Sequence, residues 1–203
     1  MPATFTRRRV LLGAAGLAVT AGASTTLGVS TAEAASPVGV AVIDRLWGKR
    51  TVRTRIPGTR RYRTTRVPVT KNLYEGTHKA VLNKGGLCHW FGTPKLFEDG
   101  NCVLFGHRTT SGGPLRNSHR FRVGDPITVT SNGMTLTYTV AEPPLVVGAK
   151  DFASVVGWGS PTTPCLTLVT CTLRNKMPTS TRYRLLIRAT ASGPASPVTP
   201  PIA

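Results

Sequence analysis

Chemistry near neutral pH needs side chains that can change charge or attack carbon. This 203-residue chain holds four cysteines, Cys88, Cys102, Cys165 and Cys171, and four histidines, His78, His89, His107 and His119. Cys171 has the setting that a reactive thiol requires. It closes an apolar, β-branched run, Cys165-Leu-Thr-Leu-Val-Thr-Cys171, and a polar loop carrying Arg174, Asn175, Lys176 and Pro178 leads to a second run, Arg182 to Ala189. Strand side chains alternate, so Arg182, Arg184, Leu186 and Arg188 share one face while Tyr183, Leu185, Ile187 and Ala189 form the core face. If the two runs pair, the cysteine ending one lies near an arginine at the start of the other. A free thiol is only a few per cent thiolate at neutral pH, so reactivity needs a nearby cation or imidazole. The same cation can stabilise an oxyanion. Spacing does not separate Arg182 from Arg184. For the imidazole, His107 follows the apolar Val103-Leu-Phe-Gly106 and precedes a Ser/Gly-rich loop, and strand ends beside loops are where active-site side chains tend to sit. His119, between Ser118 and Arg120, reads as a solvated loop residue, and nothing specific attaches to His78.

The elements that position these groups are β-rich. Asp125 to Val140 reads as a hairpin turning at Asn132-Gly133. Arg66-Val-Pro-Val and Val103–Phe105 read as further short strands, and Glu75 to Leu82 and Asp151 to Val156 as short helices. Short strands at such spacing suggest a closed or nearly closed barrel. An even cysteine count in an exported chain invites a disulfide, and Cys88 with Cys102 is the pair whose spacing allows one. Cys165 and Cys171 lie about 20 Å apart along one strand and cannot bridge. Cys165, deeper in its strand, reads as a buried hydrophobe. There is no Cys-x-x-Cys or His-x-x-x-His spacing, so no metal site is expected.

Thr167-Leu-Val-Thr-Cys171 resembles the T-L-x-T-C signature of the sortases, bacterial cysteine transpeptidases that attach proteins to the cell wall. Arg184-Leu-Leu-Ile-Arg-Ala189 resembles the arginine-bearing strand that follows the cysteine in that family. Val103-Leu-Phe-Gly-His107-Arg-Thr-Thr resembles its catalytic-histidine segment, and Pro114-Leu-Arg to Gly124-Asp125-Pro-Ile-Thr-Val resembles the continuation in actinobacterial class E or F members. The likeness covers roughly residues 51–190. It implies an all-β, closed eight-stranded sortase-like barrel with short helices, and catalytic residues Cys171, His107 and Arg184, with Arg182 as fallback. It reads His89, beside Trp90, as packing. The implied reaction is acyl transfer without metal or organic cofactor. Cys171 attacks a threonine carbonyl in an LPxTG- or LAxTG-like sorting motif, and an amine from a cell-wall precursor or a pilin lysine resolves the thioacyl intermediate.

Residues 1–34 are expected to be a twin-arginine-like signal peptide or an uncleaved anchor, with Arg7-Arg-Arg9 before a mild apolar run and Ala32-Glu-Ala34 as a cleavage pattern. An exported protein on the outer membrane face or in the wall follows. Residues 35–65 read as a basic lead-in with an amphipathic turn around Val42 to Trp47, 66–190 as the catalytic domain, and 191–203 as a Pro-rich disordered tail. The net charge is +18. Such a surface seeks polyanions. Aromatic residues make up only 6% of the chain and no nucleic-acid-binding motif appears, so anionic wall polymer or a membrane surface is the expected partner and nucleic acid is not. The rival readings are an inactive sortase-like barrel that binds wall polymer, a basic nucleic-acid-binding barrel, and an L,D-transpeptidase, whose cysteine motif is absent.

Overall fold

Pro126-Ile-Thr-Val-Thr-Ser131 and Met134-Thr-Leu-Thr-Tyr-Thr-Val140 alternate apolar residues with threonines, which gives a strand one buried face and one polar face. A computed structural model describes residues 36–76, 78–151, 153–172 and 180–198, and in it these two segments pair in register from Pro126 opposite Thr139 to Ser131 opposite Met134. Asn132 and Gly133 close the hairpin with φ of 50° and 72°, the doubly left-handed turn that Asn-Gly favours. The expected signal or anchor segment lies outside the described residues, as do residues 173–179, where a polar loop is expected, and residues 199–203.

The described strands are β1 (Gly39–Val42), β2 (Lys49–Arg55), β3 (Tyr62–Pro68), β4 (Thr70–Glu75), β5 (Leu87–His89), β6 (Gly100–Phe105), β7 (Pro126–Ser131), β8 (Met134–Val140), β9 (Leu145–Gly148), β10 (Pro164–Thr172), β11 (Ser180–Ala191) and β12 (Ser196–Pro197). Short helices α1 (Asp44–Trp47), α2 (Lys79–Leu82) and α3 (Ala153–Val156) and a 3-10 turn at Ser118–Arg120 interrupt them. Strands in the order β8-β7-β1-β4-β5-β6-β10-β11 close on themselves through the β8–β11 pairing, giving the expected eight-stranded barrel. Strand β9 extends the sheet on β11 and β12 on β8, while β2 and β3 form a separate two-stranded sheet. The expected short helices are one turn each, since β4 runs through Glu75 before α2 begins.

Two segments expected to be irregular contribute strands. Residues 35–65, which read as a lead-in, supply barrel strand β1, paired with both β4 and β7, and the whole of β2. Its four residues Gly39-Val-Ala-Val42 are too few to stand out beside so many cations. In the Pro-rich tail, Ser196 and Pro197 pair with Thr135 and Met134 at the barrel edge.

Inside the barrel Leu104, Ile127, Val129, Leu136, Tyr138, Leu168, Leu185 and Ile187 form one buried cluster. A second, smaller cluster lies on the outer face, where Val103, Val155, Val169 and Leu186 are buried and Trp90, Phe105 and Val147 pack against them. Strands β6, β10 and β11 therefore bury both faces, which is why Cys165 to Cys171 reads as an almost unbroken apolar run.

All four cysteines are free. The bridge that spacing allowed between Cys88 and Cys102 is blocked by strand parity. Cys88 is the cross-strand partner of Phe105, three residues from Cys102, so the two thiols belong to opposite faces of the β5–β6 pair. Burial pushes the Cys88 thiol up to about 11, against the pull of Lys84. The Cys102 thiol is raised by burial and by Glu75 and Glu98. Cys165 is fully buried, with its thiol directed to the Thr163 carbonyl at 3.3 Å, while Cys171 is half-exposed.

Two outcomes follow. Truncating Leu168 to alanine in the barrel interior should lower the unfolding free energy by about 2–5 kcal/mol in a urea titration, and a loss under about 1 kcal/mol would contradict this account of the core. Iodoacetamide at about pH 8 should add one adduct to the native protein, at Cys171, and four after unfolding, read by peptide mass spectrometry. Native labelling of Cys88 at a comparable rate would contradict its burial.

Candidate active site

Three strand ends meet at one rim of the barrel. Strands β6 and β10 run parallel with Phe105 opposite Val169, and the Gly106 N–H donates to the Val169 carbonyl at 3.1 Å. Two residues further along each strand, His107 and Cys171 emerge at the same level. On the other side of β10, antiparallel β11 sets Arg184 directly opposite Cys171. Cross-strand partners share a face, so the thiol and the guanidinium project to the same side, the outer one.

Two local details hold this meeting point. Thr170 Oγ1 donates to the Gly106 carbonyl at 2.8 Å, tying the end of β10 to the residue before His107. Gly106 itself has no room for a side chain, because a Cβ there would lie 2.8 Å from Leu87 Cδ2 and 3.0 Å from Leu115 Cγ.

His107, Cys171 and Arg184 line one open cavity of about 340 Å³, together with Leu82, Trp90, Phe105 and Val169. Its floor is the outer apolar cluster, in which Trp90 meets Phe105 edge-on at 5.5 Å between ring centroids. The three polar groups thus stand at the end of an apolar slot, each half-exposed. His107 Nε2 bonds the Asn83 side-chain oxygen at 3.0 Å, and Asn83 is the residue that ends α2. Among the described residues Nδ1 of His107 has no hydrogen-bond partner.

The structure separates the two arginines that spacing could not. Beyond the Cys171–Arg184 pair the register jumps, with Thr172 opposite Ser180, so residues 181–183 bulge out of the ladder. Bulges beside sites re-aim side chains. Arg182 falls in the bulge, exposed to solvent, and its carbonyl accepts from Ala149 N at 2.8 Å. Arg184 stays in the ladder and in the cavity wall, and its Nη1 donates to the Tyr183 carbonyl at 3.0 Å.

A second cation lies beside the cysteine. Arg108 is only 6% exposed. Its Nη1 donates to the Cys171 carbonyl at 3.4 Å and its Nη2 to His119 Nδ1 at 3.0 Å. Burial holds the guanidinium below its ordinary value, and the charge on Cys171 opposes that shift. His119 is held below the usual imidazole range by burial, Arg108 and Arg120, and since a guanidinium only donates, Nδ1 is the acceptor in this contact. His119 is therefore a structural acceptor as well as a loop residue. Sequence reasoning passed over Arg108, although it directly follows His107, because arginine is mostly a surface residue. Asn83 and Leu82 carried no sequence signal.

His89 is structural, as expected, but it is held by polar contacts more than by packing. It is buried, with Nδ1 at 2.8 Å from Glu75 Oε1 and Nε2 accepting from Thr93 or donating to the Pro94 carbonyl, both at 3.0 Å. With Glu75 it borders a larger cavity of about 650 Å³ that contains none of the three groups. His78 precedes α2 without a side-chain cap.

A family model described as the sortase domain matches residues 55–192. Among solved structures, sortase E from Streptomyces avermitilis is 25% identical, covers 79% of this chain and 90% of that chain, and superposes with a TM-score of 0.60. Sortase E1 from Streptomyces coelicolor, solved with a tripeptide in its active site, is 22% identical over 79% of this chain and 90% of that one, with a TM-score of 0.60. A sortase from Actinomyces oris gives 22%, 77%, 80% and 0.62. No protein of curated function matches. By domain match and by fold, this chain belongs to the sortase family of transpeptidases.

Proposed function

We propose that Cys171, His107 and Arg184 catalyse transfer of a sorting-signal peptide from its threonine carbonyl to an amine. The observation that carries this reading is the shared cavity, which brings a half-exposed thiol, an imidazole and a guanidinium to the end of one apolar slot. In the first half-reaction the Cys171 thiolate attacks the threonine carbonyl carbon. The Arg184 N–H groups donate to the developing oxyanion. As the C–N bond breaks, His107 as imidazolium gives its proton to the leaving amine, and a thioester to Cys171 remains. In the second half-reaction an acceptor amine attacks the thioester, neutral His107 takes the amine proton, and the thiolate leaves as the amide forms. Leu82, Trp90, Phe105 and Val169 offer an apolar wall for the leucine end of an LPxTG- or LAxTG-like motif.

The acceptor in this reading is a cell-wall precursor amine, and the site of action is outside the cell, in accord with the basic, apolar N-terminal sequence. The test is incubation of the full-length chain with fluorogenic Leu-Pro-x-Thr-Gly and Leu-Ala-x-Thr-Gly peptides, with and without a glycine-type amine, followed by mass spectrometry. Wild type should cleave one of them between Thr and Gly and yield the amide when amine is present. Cys171→Ala should abolish turnover. Arg184→Ala should lower it about a hundred- to a thousand-fold, while Arg182→Ala stays near wild type. Turnover that survives Cys171→Ala, or that is lost with Arg182 instead of Arg184, would overturn the assignment.

A further inference from the structure

The separate β2–β3 sheet has no part in the cavity or the barrel wall. Its strands pair over seven positions, from Lys49 opposite Pro68 to Arg55 opposite Tyr62. A hydrogen bond from Val69 N to the Gly48 carbonyl closes its base, and Pro57-Gly58 turns its tip with Gly58 at φ 73°. Between Arg45 and Tyr74 the sequence contains no Asp or Glu. None of the ion pairs seen among the described residues involves a hairpin cation.

The register sorts these cations. One face carries Lys49, then Arg66 opposite Thr51, then Arg53, then Arg55. Every residue of that face is exposed. Each successive same-face level therefore presents one cation, at steps of about 7 Å over about 20 Å. The opposite face has Arg50 and Arg63 at its two ends, with half-buried Val67 opposite Arg50 and half-buried Val52 at the level between. Arg60 and Arg61 add charge at the tip.

We propose that this face is a docking rail for a linear, base-free phosphodiester polymer of the polyol-phosphate, teichoic type. A row of cations at even intervals complements a chain of evenly repeated anions better than it does a single ligand. Three of the four cations are arginines, whose fork matches two phosphate oxygens at once. The hairpin carries a single exposed ring, Tyr62, with the Arg53 guanidinium over one face at 5.0 Å, too little to stack successive nucleobases. Apart from Tyr62 the exposed face has no large apolar side chain to insert into a bilayer, which favours a polymer over lipid.

The experiment measures binding of full-length protein to labelled polyglycerol phosphate between about 50 and about 200 mM salt, with single-stranded DNA of equal charge and phosphatidylglycerol vesicles as comparison probes. Wild type should bind the polyglycerol phosphate most tightly. The combined variant Lys49→Gln, Arg53→Gln, Arg55→Gln, Arg66→Gln should lose about tenfold or more in affinity and flatten the slope of log K against log salt by about 3, at about 0.7 per phosphate contact. A lysine variant, Arg53→Lys, Arg55→Lys, Arg66→Lys, should keep the slope. Removing four exposed cations elsewhere, Arg116, Arg120, Arg122 and Lys150, each to Gln, should leave it unchanged. An equal loss in that control, or tighter hairpin-dependent binding to DNA or vesicles, would overturn the proposal. Peptide cleavage by the hairpin variant should match wild type, and the binding measurement stands whether or not the chain cleaves peptides.

Discussion

The arrangement depends on one parallel contact, that between β6 and β10. Parallel pairing is what allows two strands to deliver their C-terminal ends to the same rim, and it requires a long crossover, here the stretch from Gly106 to Thr163 with β7, β8, β9 and α3 in it. Antiparallel β11 then reaches that rim with its N-terminal half. The Thr170 hydroxyl on the Gly106 carbonyl fixes the two parallel ends against each other at their last shared level. A slip of one residue at this pairing would turn either His107 or Cys171 to the opposite face.

The same pairing explains why the site is on the outside of the barrel. Even-numbered residues of β6 and β10, Leu104 and Leu168 among them, fill the interior, and odd-numbered residues such as Val103 and Val169 point outward. His107 and Cys171 continue the odd series. An outer face built of valines would be unstable in water, and α3, through Val155, covers its lower part. The uncovered upper part is the apolar slot. Stability and site therefore come from the two faces of the same three strands.

Much of this was legible in the sequence where a pattern of period two met a marked turn. The Asn132-Gly133 hairpin, the core face of β11 and the buried character of Cys165 follow from alternation and turn chemistry alone. Cys171 and an arginine of β11 could be brought together on the same grounds. What alternation cannot express is an interruption of itself. The bulge at residues 181–183 separates Arg182 from Arg184, and it appears only once the strands are paired. Strand β1 was hidden for another reason. Four small residues between two barrel neighbours are defined by those neighbours, β4 and β7, and not by local propensity. The Cys88–Cys102 spacing misled because loop length says nothing about which face a thiol occupies.

Arg108 shows what composition hides at the site itself. A guanidinium taken out of water loses several kcal/mol of solvation, and a carbonyl and a neutral imidazole return only part of that. Among the described residues its hydrogen-bond partners, the Cys171 carbonyl and His119 Nδ1, carry no charge. The charge of Cys171 is the influence that supports the buried cation. Arg108 meets Cys171 at its backbone carbonyl, 3.4 Å from Nη1. It acts from behind, through the backbone side of the cysteine, while Arg184 stands across the cavity on the other strand. Of the two guanidiniums beside Cys171, Arg108 bonds its backbone and Arg184 lines the cavity, so Arg184 is the one that faces the space above the thiol.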